Sequence, residues 1–193
     1  MKYIYIVLSH TGTILSRIIK LATGNEYTHS SIALNESLET MYSFGRLNPY
    51  NPFLGGFVQE GKSIGTFKRF KNTKVGVFKL EVTEKQYSEL IENINYIDKN
   101  KEKFRFNILG MALAGINKRI VKKNTFYCAE FVRYVLKKSG IKVDNLPKAI
   151  KPESFKEIEN TKLIYKGLLR SYNRSSKDIL EYIQELAKKR VSI

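Results

Sequence analysis

The stretch of sequence that decides the fold is residues 126–132, Phe126-Tyr127-Cys128-Ala129-Glu130-Phe131-Val132. Its apolar residues continue at helical spacing through Val135 and Leu136, and Gly140 is a helix stop signal. The spacing predicts a helix with one buried face. It places Cys128, the only cysteine of the chain, at or just before the first residue of that helix.

The start of a helix is a position that can activate a thiol. The unpaired N–H groups and the helix dipole favour negative charge there, and they lower a thiol pKa from about 8.5 into a range of roughly 3.5–7.5 in favourable cases. The same N–H groups can stabilise the oxyanion of a tetrahedral intermediate. A free cysteine near an apolar helix is more often a packed core residue, so both interpretations of Cys128 stay open on this pattern alone.

The candidate base is His29, within Tyr27-Thr28-His29-Ser30-Ser31-Ile32-Ala33-Leu34. It lies at the start of a predicted strand, which would fix the direction of its side chain. The alternative is a hydrogen-bonded structural histidine, because nothing in the spacing brings His29 to Cys128. His10 ends the first predicted strand and precedes polar residues and a glycine, so we interpret it as a loop residue rather than the base.

The rest of the chain predicts a mixture of strands and helices in one domain over residues 1–170, followed by a C-terminal amphipathic helix in 171–193 that packs on the same domain. A long loop rich in Gly, Tyr and Phe is predicted at 45–62, where it would border a substrate cleft. The strands are predicted at 2–8, 30–34, 39–44, 64–69, 74–82 and 163–165. The helices are predicted at 13–24, 84–100 (after a capping box at Thr83 and Gln86), 108–116 (buried), 126–139 and 175–190.

Composition limits the classes of function. The 193 residues are 42% hydrophobic, which is enough for a core, and the net charge is +16. The lysines are spread along the chain and no nucleic-acid-binding motif is present, so we interpret the charge as a solvated surface and expect no nucleic-acid partner. One cysteine and two histidines predict no metal site, and we expect no cofactor. The absence of a signal peptide or apolar span predicts a cytoplasmic protein.

Several segments together resemble the circularly permuted, papain-like branch of the NlpC/P60 superfamily, which includes the YiiX-like proteins. The resemblance covers roughly residues 3–166. It is carried by Ile6-Val7-Leu8-Ser9, Leu15-Ser16-Arg17-Ile18-Ile19, the His29 strand, Met41-Tyr42-Ser43-Phe44-Gly45 and the Cys128 helix.

This resemblance implies an α+β fold in which an antiparallel sheet or partial barrel packs on helices, and in which the histidine strand precedes the cysteine helix. It makes Cys128 the nucleophile and His29 the base that takes its proton. A third residue on the next strand normally orients the histidine, and by position the best match is Ser43, with Glu39 as the alternative. Glu130 would support the site or cap the helix.

The function that follows is a thiol-dependent hydrolase or acyl transferase acting on an amide or an ester. The resemblance implies a peptide-like substrate, such as a cell-wall peptide, or an acyl lipid. The uncharged Ser43 and the net charge of +16 motivate an alternative, a catalytically silent module on the same fold that binds an anionic polymer or membrane surface. In a third interpretation the protein is structural and Cys128 only fills the core.

Overall fold

The computed structural model describes residues 1–13, 16–17, 20–21 and 24–172, apart from the side chains of residues 52 and 53. Within these residues the strands are β1 (Lys2–His10), β2 (His29–Ala33), β3 (Met41–Asn48), β4 (Asn51–Glu60), β5 (Lys74–Val82), β6 (Arg105–Phe106), β7 (Thr125–Phe126) and β8 (Lys162–Leu168). The α-helices are α1 (Gly65–Arg69), α2 (Glu84–Lys99), α3 (Ile108–Gly115) and α4 (Cys128–Lys138).

Six strands form one antiparallel sheet in the order β4-β3-β2-β1-β5-β8, and β6 pairs with β7 in a short parallel ribbon. Helices pack on the sheet, so the prediction of an α+β fold with an antiparallel sheet is confirmed. The sheet is open, with β4 and β8 at its edges.

The central strand β1 is buried on both faces. Ile4, Ile6 and Leu8 belong to the larger core cluster, which also contains the apolar faces of α2 and α4. Tyr5 and Val7 point the other way, into a second cluster that includes Phe67 of α1. This explains why β1 shows only weak alternation in the sequence, since a strand covered on both faces needs apolar residues at every position.

Several elements follow the predictions closely. The strand pair β2–β3, the strands β1, β5 and β8, and the helices α2 and α4 all lie where the patterns place them. Thr83 and Gln86 form the predicted capping box at the start of α2. Gly140, directly after the C-cap Ser139, has a φ of +68°, as expected of a glycine that ends a helix.

Other predictions were wrong. The loop predicted at 45–62 is mostly the hairpin of β3 and β4, and the strand predicted at 64–69 is the short helix α1. The helix predicted at 108–116 exists as α3, but it is not buried all round: Ile108 and Leu109 are about half exposed, whereas Gly110 and Ala114 are buried.

The glycines of β4 explain why it does not look like a strand in the sequence. A Cβ at Gly55 would lie 2.6 Å from Cγ of Phe106, so only glycine lets β6 approach this closely. Much of the helix predicted at 13–24 and the whole helix predicted at 175–190 lie outside the described residues. The division into 1–170 and 171–193 therefore stays a prediction.

Candidate active site

His29 is held at the start of β2 by the neighbouring strand. Ser9 of β1 pairs with His29, and the backbone N–H of Thr28 donates to the carbonyl of Ser9 over 3.0 Å. The ring of His29 packs against Phe67 of α1, with centroids 6.5 Å apart. About a fifth of the His29 side chain is exposed, so the imidazole is shielded from water but can be reached from the cavity described below.

Cys128 is the first residue of α4, as the helical pattern predicts, and it is 4% exposed. The preceding residue, Tyr127, is the N-cap and has extended backbone angles. Its hydroxyl donates to the carbonyl of Ile150 over 2.8 Å, and its backbone N–H approaches the carboxylate of Glu130 at 3.5 Å. Glu130 also accepts from Asn107 at 3.3 Å, so it caps the helix as expected rather than contacting His29.

The structure brings His29 and Cys128 together. Both side chains line the same cavity and lie close enough that each shifts the pKa of the other, that of His29 upward and that of Cys128 downward. The backbone of Ser30, the residue after His29, also acts to lower the pKa of Cys128. The early histidine strand and the later cysteine helix therefore meet at one point, which the sequence spacing could not show.

His10 takes a different position. It is the last residue of β1 rather than a loop residue, and its Nδ1 lies 3.4 Å from the hydroxyl of Thr28. Burial first, and then the nearby positive charges of Lys20, Lys74 and Arg17, lower its pKa. Within the part of the chain that the structure describes, His10 has no carboxylate partner of the kind that His29 has.

The carboxylate that contacts His29 belongs to Glu60, the last residue of β4. Its Oε2 lies 3.0 Å from Nε2 of His29 and accepts a hydrogen bond of 2.7 Å from the hydroxyl of Ser31. The Glu60 side chain is 6% exposed. A buried carboxylate therefore contacts Nε2 of the imidazole, where its negative charge stabilises the protonated ring.

Ser43 and Glu39, which the sequence offers as the third residue of the site, make no hydrogen bond or ion pair with His29 among the described residues. Ser43 lies beside Glu60 and adds the smallest of the effects that lower the pKa of Glu60, but its buried hydroxyl meets no partner in good hydrogen-bonding geometry among the described residues. Glu39 is largely exposed and pairs with Lys62 at 3.1 Å. One signal could have identified Glu60: it is the only acidic residue between 45 and 62.

The three groups set one another's protonation. Burial by itself would lower the pKa of His29, but the charge of Glu60 and hydrogen bonds to Cys128 and Glu60 outweigh it and raise the pKa. Burial would raise the pKa of Cys128, but the hydrogen bond and charge of His29 outweigh it and lower the pKa below its usual value. For Glu60, too, the effect of His29 exceeds that of burial, and its pKa is lowered. The arrangement favours a thiolate beside an imidazolium.

A small cavity of about 130 Å³ opens onto this site. Its wall includes Cys128, His29 and Glu60, and the guanidinium of Arg46 of β3. The apolar part of the wall is formed by Phe44, Phe67, Phe106, Ile108 and Met111. Substrate atoms that enter this cavity would reach the thiol from a largely apolar surrounding.

Gly45 of β3 leaves room for the three polar groups. A Cβ at this position would lie 3.2 Å from Oε1 of Glu60, 3.3 Å from Cε1 of His29 and 3.3 Å from Oγ of Ser43. These distances are tighter than ordinary van der Waals contact. The absence of a side chain at Gly45 is therefore part of what lets Glu60 reach across β3 to His29.

Comparison with known proteins gives a likeness of fold. No family model and no curated protein matches the sequence. Among solved structures, YiiX from Escherichia coli O157:H7 is similar, with a TM-score of 0.51 and 13% sequence identity over 86% of this chain and 98% of YiiX. At this identity the likeness concerns the fold alone.

YiiX is described as a metalloprotein. In this chain, no group of three or more His, Cys, Asp or Glu side chains is placed to hold a metal ion within the described residues. The donor set that a metal centre needs is thus not assembled around Cys128 and His29. Over the same part of the chain, none of the helices has the length and apolar content needed to span a bilayer.

Proposed function

We propose that this protein is a thiol-dependent hydrolase or acyl transferase of the permuted papain-like fold, acting on an amide or an ester. Cys128 is the nucleophile, His29 the base and acid, and Glu60 the residue that orients His29. The proposal rests on one observation, the buried chain of contacts from Glu60 through His29 to Cys128 at the start of α4. A thiol that merely fills the core needs neither the imidazole nor the carboxylate behind it.

The geometry supports a two-step reaction. The thiolate of Cys128 attacks the carbonyl carbon of the substrate, and the resulting oxyanion is stabilised by the first N–H groups of α4. As the intermediate collapses, the C–N or C–O bond breaks, and the imidazolium of His29 gives its proton to the leaving amine or alcohol. His29, now neutral, removes a proton from water or from an acceptor alcohol or amine, which attacks the thioester and releases Cys128.

The cavity favours a substrate with an apolar part next to the reacting carbonyl, because aromatic and aliphatic side chains form most of its wall. Both peptide-like amides and acyl lipids meet this condition. The alternative function, a silent module that binds anionic polymers, accounts for the net charge of +16 but gives no reason for a thiol pKa lowered by a histidine. We therefore propose the enzyme.

The decisive experiment is the pH dependence of alkylation of Cys128 by iodoacetamide, compared with glutathione. Because the pKa of Cys128 is lowered, its thiolate persists as the pH falls below the usual thiol pKa of about 8.5, where the reactivity of glutathione declines. We expect faster alkylation of Cys128 than of glutathione at about pH 6, and a shallower dependence of its rate on pH. A profile that follows glutathione would overturn the proposal.

Two variants complete this test. His29→Ala should raise the thiol pKa and move the alkylation profile toward that of glutathione, while circular dichroism checks that the fold is retained. Cys128→Ser should abolish the release of p-nitrophenol from a medium-chain p-nitrophenyl ester if the wild type releases it. As a matched control, His10→Ala changes the other histidine and should leave both readouts unchanged.

A further inference from the structure

Arg46 is a half-buried cation in the wall of the cavity that contains Cys128 and His29. Its Nη2 donates to Oγ1 of Thr13 over 2.8 Å, and its guanidinium carbon lies 5.8 Å from the ring centroid of Phe70. Among the described residues no carboxylate lies within ion-pair distance of it, although Glu60 is near enough to influence its pKa. Its charge is therefore only partly compensated by the protein.

Arg46 has fewer hydrogen-bond acceptors among the described residues than Arg133, another half-buried arginine. Arg133 is also half-buried, but it donates to two backbone carbonyls, those of Pro147 and Lys148, over 2.9 Å and 3.1 Å. Over the described part of the chain, Arg46 has one hydrogen-bond acceptor, Thr13. A guanidinium carries several further N–H donors in a planar fork suited to carboxylate or phosphate.

The surroundings of Arg46 make the binding of an anion beside it favourable. Burial, and then the positive charge of Arg69, act against its charged form. A guanidinium nevertheless stays protonated in proteins, so it keeps the cost of desolvation unless an acceptor supplies the missing hydrogen bonds. The remaining polar atoms of this wall include the hydroxyls of Thr11 and Thr66, which are neutral and short.

We propose that Arg46 binds an anionic group of the substrate, so that the cavity accepts an amide or ester carrying a carboxylate or a phosphate together with an apolar group. The inference rests on the proposed function, because it places the anion in the cavity of the Cys128 thiol. Arg46 is the specificity-determining residue in this arrangement, and Phe44, Phe67 and Met111 contact the apolar part.

The test compares two alkylating probes that differ in charge, anionic iodoacetate and neutral iodoacetamide, on the full chain. Both react with the same thiolate, so the ratio of their rate constants cancels any change in the pKa of Cys128. Replacing Arg46 by glutamine should lower the iodoacetate-to-iodoacetamide ratio roughly tenfold or more, the scale of one charge-assisted hydrogen bond. The imidazolium of His29 also attracts iodoacetate. The readout is therefore the change in the iodoacetate-to-iodoacetamide ratio between wild type and variant, and not the ratio of the wild type alone.

Lys68→Gln is the matched control, since it removes one exposed positive charge from α1 and should leave the ratio unchanged. Arg46→Lys keeps the charge without the fork and should give an intermediate ratio, which also covers the case in which Arg46→Gln does not fold. An equal ratio in wild type, Arg46→Lys and Arg46→Gln would refute the anion site. Slow alkylation of the wild type by iodoacetamide would instead refute the activated thiol, so the two failures are distinguishable.

Protection of Cys128 from iodoacetamide separates the two sources of the anion. N-octanoylglycine carries a carboxylate, octyl phosphate carries a phosphate, and octanamide is the neutral control. Stronger protection by N-octanoylglycine assigns a peptide-like substrate with a free carboxylate. Stronger protection by octyl phosphate assigns a phosphate ester. Protection by octanamide as strong as by either anion overturns the proposal.

Discussion

Replacing Glu60 by glutamine is the perturbation that tests the site most directly. The change removes one negative charge and keeps nearly the same shape, so an amide oxygen can still accept a hydrogen bond from Ser31 or His29. What is lost is the attraction between the carboxylate and the imidazolium, whose atoms Oε2 and Nε2 are 3.0 Å apart and buried from most solvent.

The magnitude follows from Coulomb's law. With the centres of charge about 4 Å apart and an effective dielectric constant of about 20, the attraction is about 4 kcal/mol. Part of it is retained in the variant, because the amide oxygen can still accept a hydrogen bond from the imidazolium. Since about 1.4 kcal/mol corresponds to a tenfold change, the protonated state of His29 loses roughly two to three orders of magnitude in population relative to the neutral state.

The assay is iodoacetamide alkylation across pH. In Glu60→Gln we expect the rate constant at about pH 6 to fall by roughly 100-fold, because the thiolate loses its imidazolium partner, and to recover as the pH rises through the thiol pKa. Glu39→Gln removes an exposed carboxylate and should keep the wild-type profile. Ser43→Ala tests the residue named from the sequence and should change the rate by less than about threefold, within one weak hydrogen bond. Equal profiles for Glu60→Gln and wild type would refute this account.

Two further predictions concern packing. Gly45→Ala should lower the alkylation rate near neutral pH and destabilise the fold by about 1–3 kcal/mol, because the added Cβ would crowd Glu60 and His29. The control Gly56→Ala meets only the flexible side chain of Leu47 and should retain wild-type reactivity. An unaffected Gly45→Ala would contradict the tight packing. Phe131→Ala should lower the free energy of unfolding, measured in urea, by about 3–5 kcal/mol. Phe131 is fully buried, and its ring centroid lies 5.5 Å from that of Phe44 and 5.7 Å from that of Phe57. The control Val121→Ala, at an exposed position, should change this free energy by less than about 0.5 kcal/mol, and a loss below about 1 kcal/mol in Phe131→Ala would contradict this packing.

The parts of the fold that the sequence predicts are those set by local spacing. The apolar stripe of α4 and the stop at Gly140 place Cys128 correctly because helix periodicity and capping depend on residues within a few positions of one another. The capping box at Thr83 and Gln86 is local in the same sense, and it defines the start of α2.

Glu60 could not be found in this way because its role depends on pairing between strands. It belongs to β4, whose two glycines are typical of a loop, although one of them, Gly55, allows close contact with Phe106 of β6. Without β4 in the sheet, nothing connects a carboxylate at the end of that segment to a histidine thirty-one residues earlier. The segment 64–69 has a strand-like composition, but it contains Gly65, which has a φ of +58° and is the first residue of α1.

Ser43 and Gly45 show why the strand after the histidine, β3, does not carry the carboxylate that contacts His29. The register pairs Ala33 with Met41 and Met41 with Glu60, so Glu60 and His29 lie on strands separated by β3. Continued toward the start of β2, that register sets Ser31 beside Ser43 and His29 beside Gly45. A carboxylate on β4 can reach both Ser31 and His29 only by lying over β3, which requires small side chains there. The small residues of β3 therefore leave room for the third side chain, and the carboxylate itself comes from Glu60 of β4.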